Sequence, residues 1–336
     1  MSDCVVLTTE TSRRSPAAVE IGDRMPHVTM IHGIGNKREA DRLLASWEYA
    51  LRDGGLDLAG NGVTTSMVYW ADVLYEAPSS GESHESTGDE VLTSDLDEDM
   101  QWLDELSPED RAFVDSLQRE YAPDMAPPEG YDDSYAPPEA EQDGTYERIP
   151  IPWFIKRRMM NALLRDVHHY LFNATTEPRP GEVFQVQDEI RGRFVNELRR
   201  AGDSDPTGPH IVVSHSMGTV IAYDCLKRVA ECPQIDALMT IGSPLGIDEI
   251  QDMMKPEWTR DDGYPSLKVD SGWTNVYDSL DVVSRLDPVI ANDYRRSGTE
   301  VIADVEVENS GLWRHDISQY LRRPGVQEAL ALQLGL

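Results

Sequence analysis

The sequence predicts an α/β fold in which helices flank a mostly parallel central sheet. A strand candidate, "HVTMI", runs into the glycine loop "HGIGNK" and is followed by a helix candidate, "EADRLLASWEYALRDGG", and a second strand candidate, "VTTSMVYWADVLY". A further strand, turn and helix follow one another in "HIVVSHSMGTVIAYD". Because a helix between two strands returns the chain to the same end of the sheet, this alternation favours parallel strands.

The remaining elements continue the same alternation. In the first helix, Leu43, Leu44, Trp47, Ala50 and Leu51 share one face, and the glycine pair after them is a C-cap signal. The later elements are the helix "FQVQDEIRGRFVNELRR", the strands "DALMTIGSP", "WTNVYDSLD" and "EVIADVEV", and the closing helix "GVQEALALQL". A chain of 336 residues is long enough for one large α/β domain with an insertion.

Composition divides the chain into four segments. Residues 1–76 form the N-terminal part of the core, residues 77–150 an acidic, proline-rich insertion, residues 151–182 an amphipathic helical segment, and residues 183–336 the C-terminal part of the core. Of the 61 acidic residues, 23 lie between positions 75 and 147, together with only two arginines. Such a composition buries little apolar surface, so we expect the insertion to be partly mobile, with short helices at "MQWLDEL" and "DRAFVDSL".

The helical segment carries a stripe of apolar side chains against a polar face. Met160, Leu163, Leu164, Val167 and Leu171 recur at helical spacing. Such a stripe indicates a helix packed on the core, a cap over a substrate pocket or a face that touches a membrane. No stretch of the sequence reaches the roughly 18 uninterrupted apolar residues of a membrane span, so no integral membrane segment is expected.

Charge and cysteine content narrow the partners and the compartment. A net charge of −31 is repelled by a nucleic-acid backbone, so we expect no nucleic-acid partner. Cys4, Cys225 and Cys232 fit neither a zinc site nor a disulfide framework, and the N-terminus lacks a secretory signal, which together predict a cytoplasmic protein. The loop "HGIGNK" matches neither glycine-rich phosphate motif, so no cofactor is expected. The oligomeric state is left open.

Ser216 lies at the turn between a β-branched run and a helix, in "SHSMG". The α/β-hydrolases hold their nucleophilic serine in such a turn, in the pattern G-x-S-x-G, where small flanking residues let the strand and helix backbones approach. Ser214 stands in place of the leading glycine and is only slightly larger. Ser216 is therefore a candidate nucleophile, and the alternative is a serine that caps the helix.

A nucleophilic serine needs a base, and in this fold the triad follows the order serine, acid, histidine along the chain. Of the eight histidines, only His315 follows Ser216, between the last predicted strand and the closing helix. At the end of the strand "WTNVYDSLD", Asp278 and Asp281 both qualify as the acid, whereas Asp287 lies too far along the chain. The residues alone leave Asp278 and Asp281 both open.

Two backbone N–H groups are needed to bind the negative oxygen of an acyl-transfer intermediate. Met217, directly after the candidate nucleophile, and Ile34, inside "HGIG", are the candidates for this oxyanion hole. We expect His32 to shape its loop, and His215, beside the candidate nucleophile, to point to the opposite side of the strand end and to pack.

His168 and His169 are adjacent on the helical segment. Their side chains should diverge by about 100°, which is too far apart for a metal pair, so no metal site is expected.

Six short motifs together resemble the bacterial serine-esterase and lipase-like branch of the α/β-hydrolases. They are "VTMIHGIGNK", "VYWADVLY", "VVSHSMGTVIAYD", "TIGSPLG", "WTNVYDSLDVV" and "RHDISQYL", and they cover most of the chain outside the insertion. The resemblance implies an α/β-hydrolase fold and places the triad acid at the second aspartate of "D-x-x-D-V-V", which is Asp281.

The function that follows is a serine hydrolase that cleaves small-molecule or lipid-like carboxylic esters through an acyl-enzyme. Two alternatives remain beside it. A thioesterase or an amidase would use the same triad, and a binding or effector protein would use the hydrolase fold without catalysis.

Overall fold

The structure is a computed structural model, and it describes residues 25–79, 101–125, 153–204, 208–310 and 314–336. The expectations for the N-terminal segment and for most of the acidic insertion lie outside the described residues.

Six strands form the central sheet, and all neighbouring pairs are parallel. They are β1 (His27–Ile31), β2 (Thr64–Val68), β5 (His210–His215), β6 (Ile235–Ile241), β7 (Val269–Tyr277) and β8 (Ala303–Glu306). Their order across the sheet is β2-β1-β5-β6-β7-β8. Two further strands, β3 (Thr175–Arg179) and β4 (Glu182–Gln185), pair with each other as an antiparallel hairpin. The predicted α/β class with a mostly parallel sheet is confirmed.

Within the described ranges, the α-helices are α1 (Ala40–Gly54), α2 (Pro108–Met125), α3 (Trp153–Leu171), α4 (Val186–Ser204), α5 (Met217–Arg228), α6 (Asp248–Met253), α7 (Ile317–Leu321) and α8 (Pro324–Leu334). Short 3-10 turns span Ala59–Asn61, Ala71–Val73, Gln101–Glu105 and Arg260–Asp262. None of the helices in these ranges is both long enough and apolar enough to span a membrane.

Helices cover both faces of the sheet, because side chains alternate between the faces along each strand. On β1, Val28 and Met30 point to one core, and Ile31 points to the other. The helices α1, α7 and α8 pack on the face of Val28, whereas α2 to α6 pack on the face of Ile31. The sheet is therefore the middle of three layers, and its loops meet at the carboxyl ends of the strands.

Part of the acidic insertion is packed against this core. Leu103, Val114, Leu117 and Tyr121 are buried and belong to the same apolar cluster as Ile31. The two predicted helices are present, but the expectation that the insertion buries little surface is wrong for residues 101–125. Although the segment is acidic on average, its apolar side chains recur three and four residues apart and form one helical face.

The helical segment also differs from its expected extent. Leu163, Leu164, Val167 and Leu171 of α3 are buried in the core, which fits the packing alternative. The helix ends at Leu171, and the hairpin of β3 and β4 follows it, although the sequence pattern predicts no strands there. These strands are short, exposed and rich in charged residues, so they lack the apolar alternation of a core strand.

Candidate active site

Ser216 occupies a sharp turn between β5 and α5, with a backbone φ of 53° and ψ of −129°. A positive φ is costly for a residue with a side chain, and it persists where the surrounding structure holds the turn. Here the Ser216 N–H donates to the Ile241 carbonyl at 3.0 Å, and the Ser216 carbonyl accepts from the Thr219 N–H at 2.9 Å. The turn aims the Ser216 side chain away from the sheet at the end of β5.

Small residues flank Ser216 because the backbones around the turn nearly touch. A Cβ on Gly218 would lie 2.6 Å from the His32 carbonyl oxygen and 2.7 Å from that of Ile31. Ser214, in place of the leading glycine of the motif, donates its hydroxyl to the Met239 carbonyl of β6 at 2.9 Å. The departure from G-x-S-x-G is therefore accommodated by a hydrogen bond inside the sheet.

The glycine loop after β1 passes directly over Ser216. A Cβ on Gly33 would lie 2.5 Å from the Ser216 Cβ and 3.0 Å from its Oγ. The Ser216 side chain is buried, and its Oγ has no hydrogen-bond partner among the residues that the structure describes. A buried hydroxyl without a protein partner is unusual in a folded chain. The motif "HGIGNK" contains Gly33, but nothing in the sequence distinguishes it from the other glycine of the loop.

Asp281 and His315 are brought together at the carboxyl end of β7. The His315 Nδ1 lies 2.8 Å from Asp281 Oδ2 and 2.9 Å from Oδ1. The Val283 N–H donates to Oδ1 at 2.9 Å, and the Tyr320 hydroxyl donates to Oδ2 at 2.6 Å. Burial alone would raise the pKa of Asp281, but His315 and these hydrogen bonds hold it below its usual value. The carboxylate is thus ionised and fully engaged.

Asp278, the other candidate acid, binds different partners. Its Oδ1 accepts from the Leu280 N–H at 2.8 Å, and its Oδ2 accepts from the Asn309 N–H at 2.6 Å and from Arg314 at 3.2 Å. Asn309 and Arg314 lie on the stretch that leads to His315. Asp278 therefore anchors the loop that carries His315.

His315 lies at the same end of the sheet as Ser216, next to two residues that adjoin the serine turn, Gly242 and His215. A Cβ on Gly242 would lie 3.0 Å from Asp281 Oδ2 and 3.2 Å from His315 Cε1, and the residue before it, Ile241, accepts the Ser216 N–H. His215, directly before Ser216, stacks at an angle on His315, with ring centroids 4.7 Å apart.

His215 is buried and packed, as expected, and it also contacts the loop that carries His315. Its Nε2 donates to the His315 carbonyl at 3.0 Å, because the loop before α7 approaches from the face to which the His215 ring points. Trp47 of α1 and Tyr320 of α7 lie against the same ring. Burial, followed by the proximity of His315, holds the pKa of His215 well below its usual value, so its ring is neutral.

The loop that contains Ile34 is held from both sides. His32 Nδ1 donates to the Gly33 carbonyl at 2.8 Å, and its Nε2 accepts from the Trp70 N–H at 3.1 Å. Burial lowers the pKa of His32 to about 3, which keeps the ring neutral, as this pair of bonds requires. On the other side of Ile34, the Gly35 N–H donates to the buried Asp166 of α3 at 2.8 Å. His32 thus shapes its loop, as the sequence suggests.

Met217 is the first residue of α5, so its N–H belongs to the first helical turn and has no acceptor within the helix. Ile34 is the neighbour of Gly33, which contacts Ser216. The two residues expected to form an oxyanion hole are therefore the neighbours in sequence of Ser216 and of Gly33.

His168 and His169 do not diverge as expected. Their Nδ1 atoms lie 3.3 Å apart, and their ring planes are inclined by 75°. His168 also binds Asp110 of α2 at 3.1 Å, and Trp102 of the preceding 3-10 turn packs against both rings. Contacts with α2 and with this turn therefore hold the two rings together. In the described part of the chain, no group of three or more His, Cys, Asp or Glu residues is arranged to hold a metal ion.

The strand order, the turn at Ser216 after β5 and the histidine loop after β8 define an α/β-hydrolase fold. Among solved structures, the chain is similar to Est1E from Butyrivibrio proteoclasticus, with 11% identity, coverage of 95% of this chain and 92% of that chain, and a TM-score of 0.37. It is also similar to dienelactone hydrolase from Anabaena variabilis, with 12% identity, coverage of 92% and 83%, and a TM-score of 0.31. No protein-family model and no curated protein matches the sequence.

Proposed function

We propose that this protein is a serine hydrolase that cleaves carboxylic esters through an acyl-enzyme. The observation that supports it most is the buried contact of 2.8 Å between His315 Nδ1 and Asp281. This contact lies at the end of the sheet where the turn holds Ser216 against the glycine loop. Serine, acid and histidine also follow the order along the chain that an α/β-hydrolase requires.

In the proposed first step, Ser216 Oγ attacks the carbonyl carbon of the ester. Asp281 accepts a hydrogen bond from the Nδ1–H of His315, which keeps the proton on Nδ1 and leaves the Nε2 lone pair to take the serine proton as the carbon–oxygen bond forms. Asp281 stays ionised and stabilises the imidazolium, and it does not take the proton itself. Its engagement by three donors fits this role.

The tetrahedral intermediate carries a negative charge on the former carbonyl oxygen. The N–H groups of Ile34 and Met217 are proposed to bind this oxygen, and they are fixed before the reaction by the His32 and Asp166 contacts and by α5. The intermediate collapses when His315 returns the proton to the leaving alcohol. Water then attacks the acyl-enzyme, His315 again serves as the base, and the acid product leaves.

A fluorophosphonate probe tests this proposal, since only an activated serine reacts with it. We expect the wild-type protein to be labelled and Ser216→Ala not to be, with ester turnover lower by about 10⁴-fold or more and the fold intact. Ser214→Ala is the matched control, because it removes a buried hydroxyl from the strand that leads into the same turn and should keep the label.

The substrate class is tested with p-nitrophenyl esters of increasing acyl length, beside a thioester and an anilide of matched acyl group. The fastest turnover is expected for an ester. Preference for the thioester or anilide would retain the triad but change the reaction. An unlabelled and inactive wild-type protein would contradict catalysis and favour the binding-protein alternative.

A further inference from the structure

Tyr320 of α7 connects the two buried aspartates at the end of β7. Its side chain is fully buried, its hydroxyl donates to Asp281 Oδ2 at 2.6 Å, and its oxygen accepts from the Asp278 N–H at 3.0 Å. The phenol therefore binds the acid that contacts His315 and the backbone of the aspartate that anchors the histidine loop. In the sequence, Tyr320 lies within the motif "RHDISQYL", which by itself predicts no role for it.

The bond to Asp281 places Tyr320 in competition with His315 for the charge of one carboxylate oxygen. Both His315 Nδ1 and the Tyr320 hydroxyl contact Oδ2. A carboxylate that shares its charge with a second donor is less basic, and an oriented donor also fixes the plane of the carboxylate. The Tyr320 contact is thus suited to set both the orientation and the proton affinity of the Asp281–His315 pair.

We propose that Tyr320 is a positioning residue that sets the orientation and the titration of the Asp281–His315 pair. This inference rests on the proposed function, in which that pair activates Ser216. Tyr320 acts through Asp281 and touches no reacting atom.

The phenol is a constant donor over the working pH range. Burial, followed by the charge of Asp281, raises the pKa of Tyr320 well above its usual value, so the hydroxyl keeps its proton. Ionisable groups from several elements face the pair. They are His215 at the end of β5, Asp278 at the end of β7, Arg314 in the histidine loop and Tyr121 on α2.

The test is Tyr320→Phe, with Tyr223→Phe as the matched control. Tyr223 is also fully buried, and its hydroxyl donates to the Gly263 carbonyl at 2.7 Å rather than to the pair. In Tyr320→Phe we expect kcat for an ester to fall about tenfold, as for the loss of one hydrogen bond to a charged group, while KM changes less than twofold. Without the Tyr320 hydrogen bond, the Asp281 carboxylate is more basic and stabilises the protonated form of the Asp281–His315 pair. The acidic limb of the kcat/KM profile should therefore move to higher pH.

A structural role alone would lower the unfolding temperature without moving this limb, and that result would overturn the inference. Replacing Tyr320 with 3-fluorotyrosine provides a second variant that keeps the shape of the ring. Its phenol is a stronger donor, so the acidic limb should move to lower pH. Movement in the same direction as in Tyr320→Phe, or no movement, would contradict the inference even if Tyr320→Phe does not fold.

The inference can fail without the proposed function failing. Suppose that Tyr223→Phe and Tyr320→Phe both have the kcat and the acidic limb of the wild type, while Ser216→Ala is inactive. The proposed triad would then be supported, and Tyr320 would have no role in it. The pair is also followed without substrate, through the pH at which the NMR signal of the proton between His315 and Asp281 changes. An unchanged midpoint in Tyr320→Phe would overturn the role of Tyr320 whatever the protein hydrolyses.

Discussion

At the residue scale, two buried aspartates three positions apart have separate partners. Asp281 contacts His315, whereas Asp278 binds the backbone of the loop that carries it. An amide at position 281 offers a donor to Nδ1 and stabilises the wrong tautomer of the imidazole. An amide at position 278 keeps one oxygen for the loop, so it should disturb the anchor more than the reaction.

Asp281→Asn should therefore lower kcat by about 10⁴-fold, the size of the effect that a tautomer change has in serine proteases. Asp278→Asn should lower kcat by about tenfold or less and mainly reduce the unfolding temperature. Ester turnover and thermal unfolding of both purified variants would check this ranking. A larger loss of turnover in Asp278→Asn would exchange the roles of the two aspartates.

The sequence carries only part of this site. His315 is singled out by chain order, because no other histidine follows Ser216. Asp278 and Asp281 both lie at a strand end, and only the path of the histidine loop decides which of them contacts His315. The family resemblance predicts Asp281, whereas the residues alone do not distinguish the two. The contact between His215 and His315 joins residues 100 positions apart, and no local pattern encodes it.

At the element scale, α2 connects the insertion to the site. The Tyr121 hydroxyl donates to the Val283 carbonyl at 3.2 Å, and the Val283 N–H donates in turn to Asp281. The Ser116 hydroxyl donates to Glu249 of α6 at 2.5 Å. This part of the insertion is therefore built into the end of the sheet that holds the candidate site.

Leu117 tests how firmly α2 belongs to the core. Its side chain is 1% exposed, so Leu117→Ala should lower the free energy of unfolding by about 2–5 kcal/mol, as for other buried leucines. Gln118→Ala, at an exposed position of the same helix, should change it by about 0.5 kcal/mol or less. Denaturant unfolding of both variants measures the difference. Equal and small effects would mean that α2 does not contribute to the stability of the core.

Strongly periodic elements were predictable, and elements that depend on tertiary contacts were not. The first helix matches α1, which ends at Gly54 before a glycine with a φ of 121°. The second strand candidate stops at Val68, and a 3-10 turn follows, because Trp70 turns to stack on His32 with ring centroids 4.8 Å apart. The packing of α2 depends on an apolar face that the acidic average composition conceals.

At the scale of the whole molecule, the described histidines are mostly held neutral. Burial is the largest cause, and six of the seven histidines in the described ranges have a lowered pKa: His27, His32, His168, His169, His210 and His215. The values are about 3 for His32 and about 4 for His169 and His210. Unfolding exposes these rings, and each then takes up a proton below a pH of about 6.5.

Two buried carboxyls act in the opposite direction. Burial raises the pKa of Asp287 and of Asp316 to about 6, so both bind a proton in the folded state that they release on unfolding. Their stabilising contribution is present below a pH of about 4 and is lost as the pH rises through about 6. On unfolding, six histidines take up protons and only two carboxyls release them. The unfolded state therefore binds more protons than the folded state between pH 6.5 and about 4.

The unfolding temperature should therefore fall as the pH is lowered from 7.5 to 5, with the onset near pH 6.5. Each proton taken up on unfolding contributes roughly 1.4 kcal/mol per pH unit, so a net uptake of one or two protons is readily measured by calorimetry at constant ionic strength. His210→Gln should make the slope shallower, because it removes one of the rings that is neutral in the fold, and Tyr223→Phe should leave the slope unchanged. An unfolding temperature that stays flat or rises between pH 6.5 and 5 would show that the buried carboxyls outweigh the histidines.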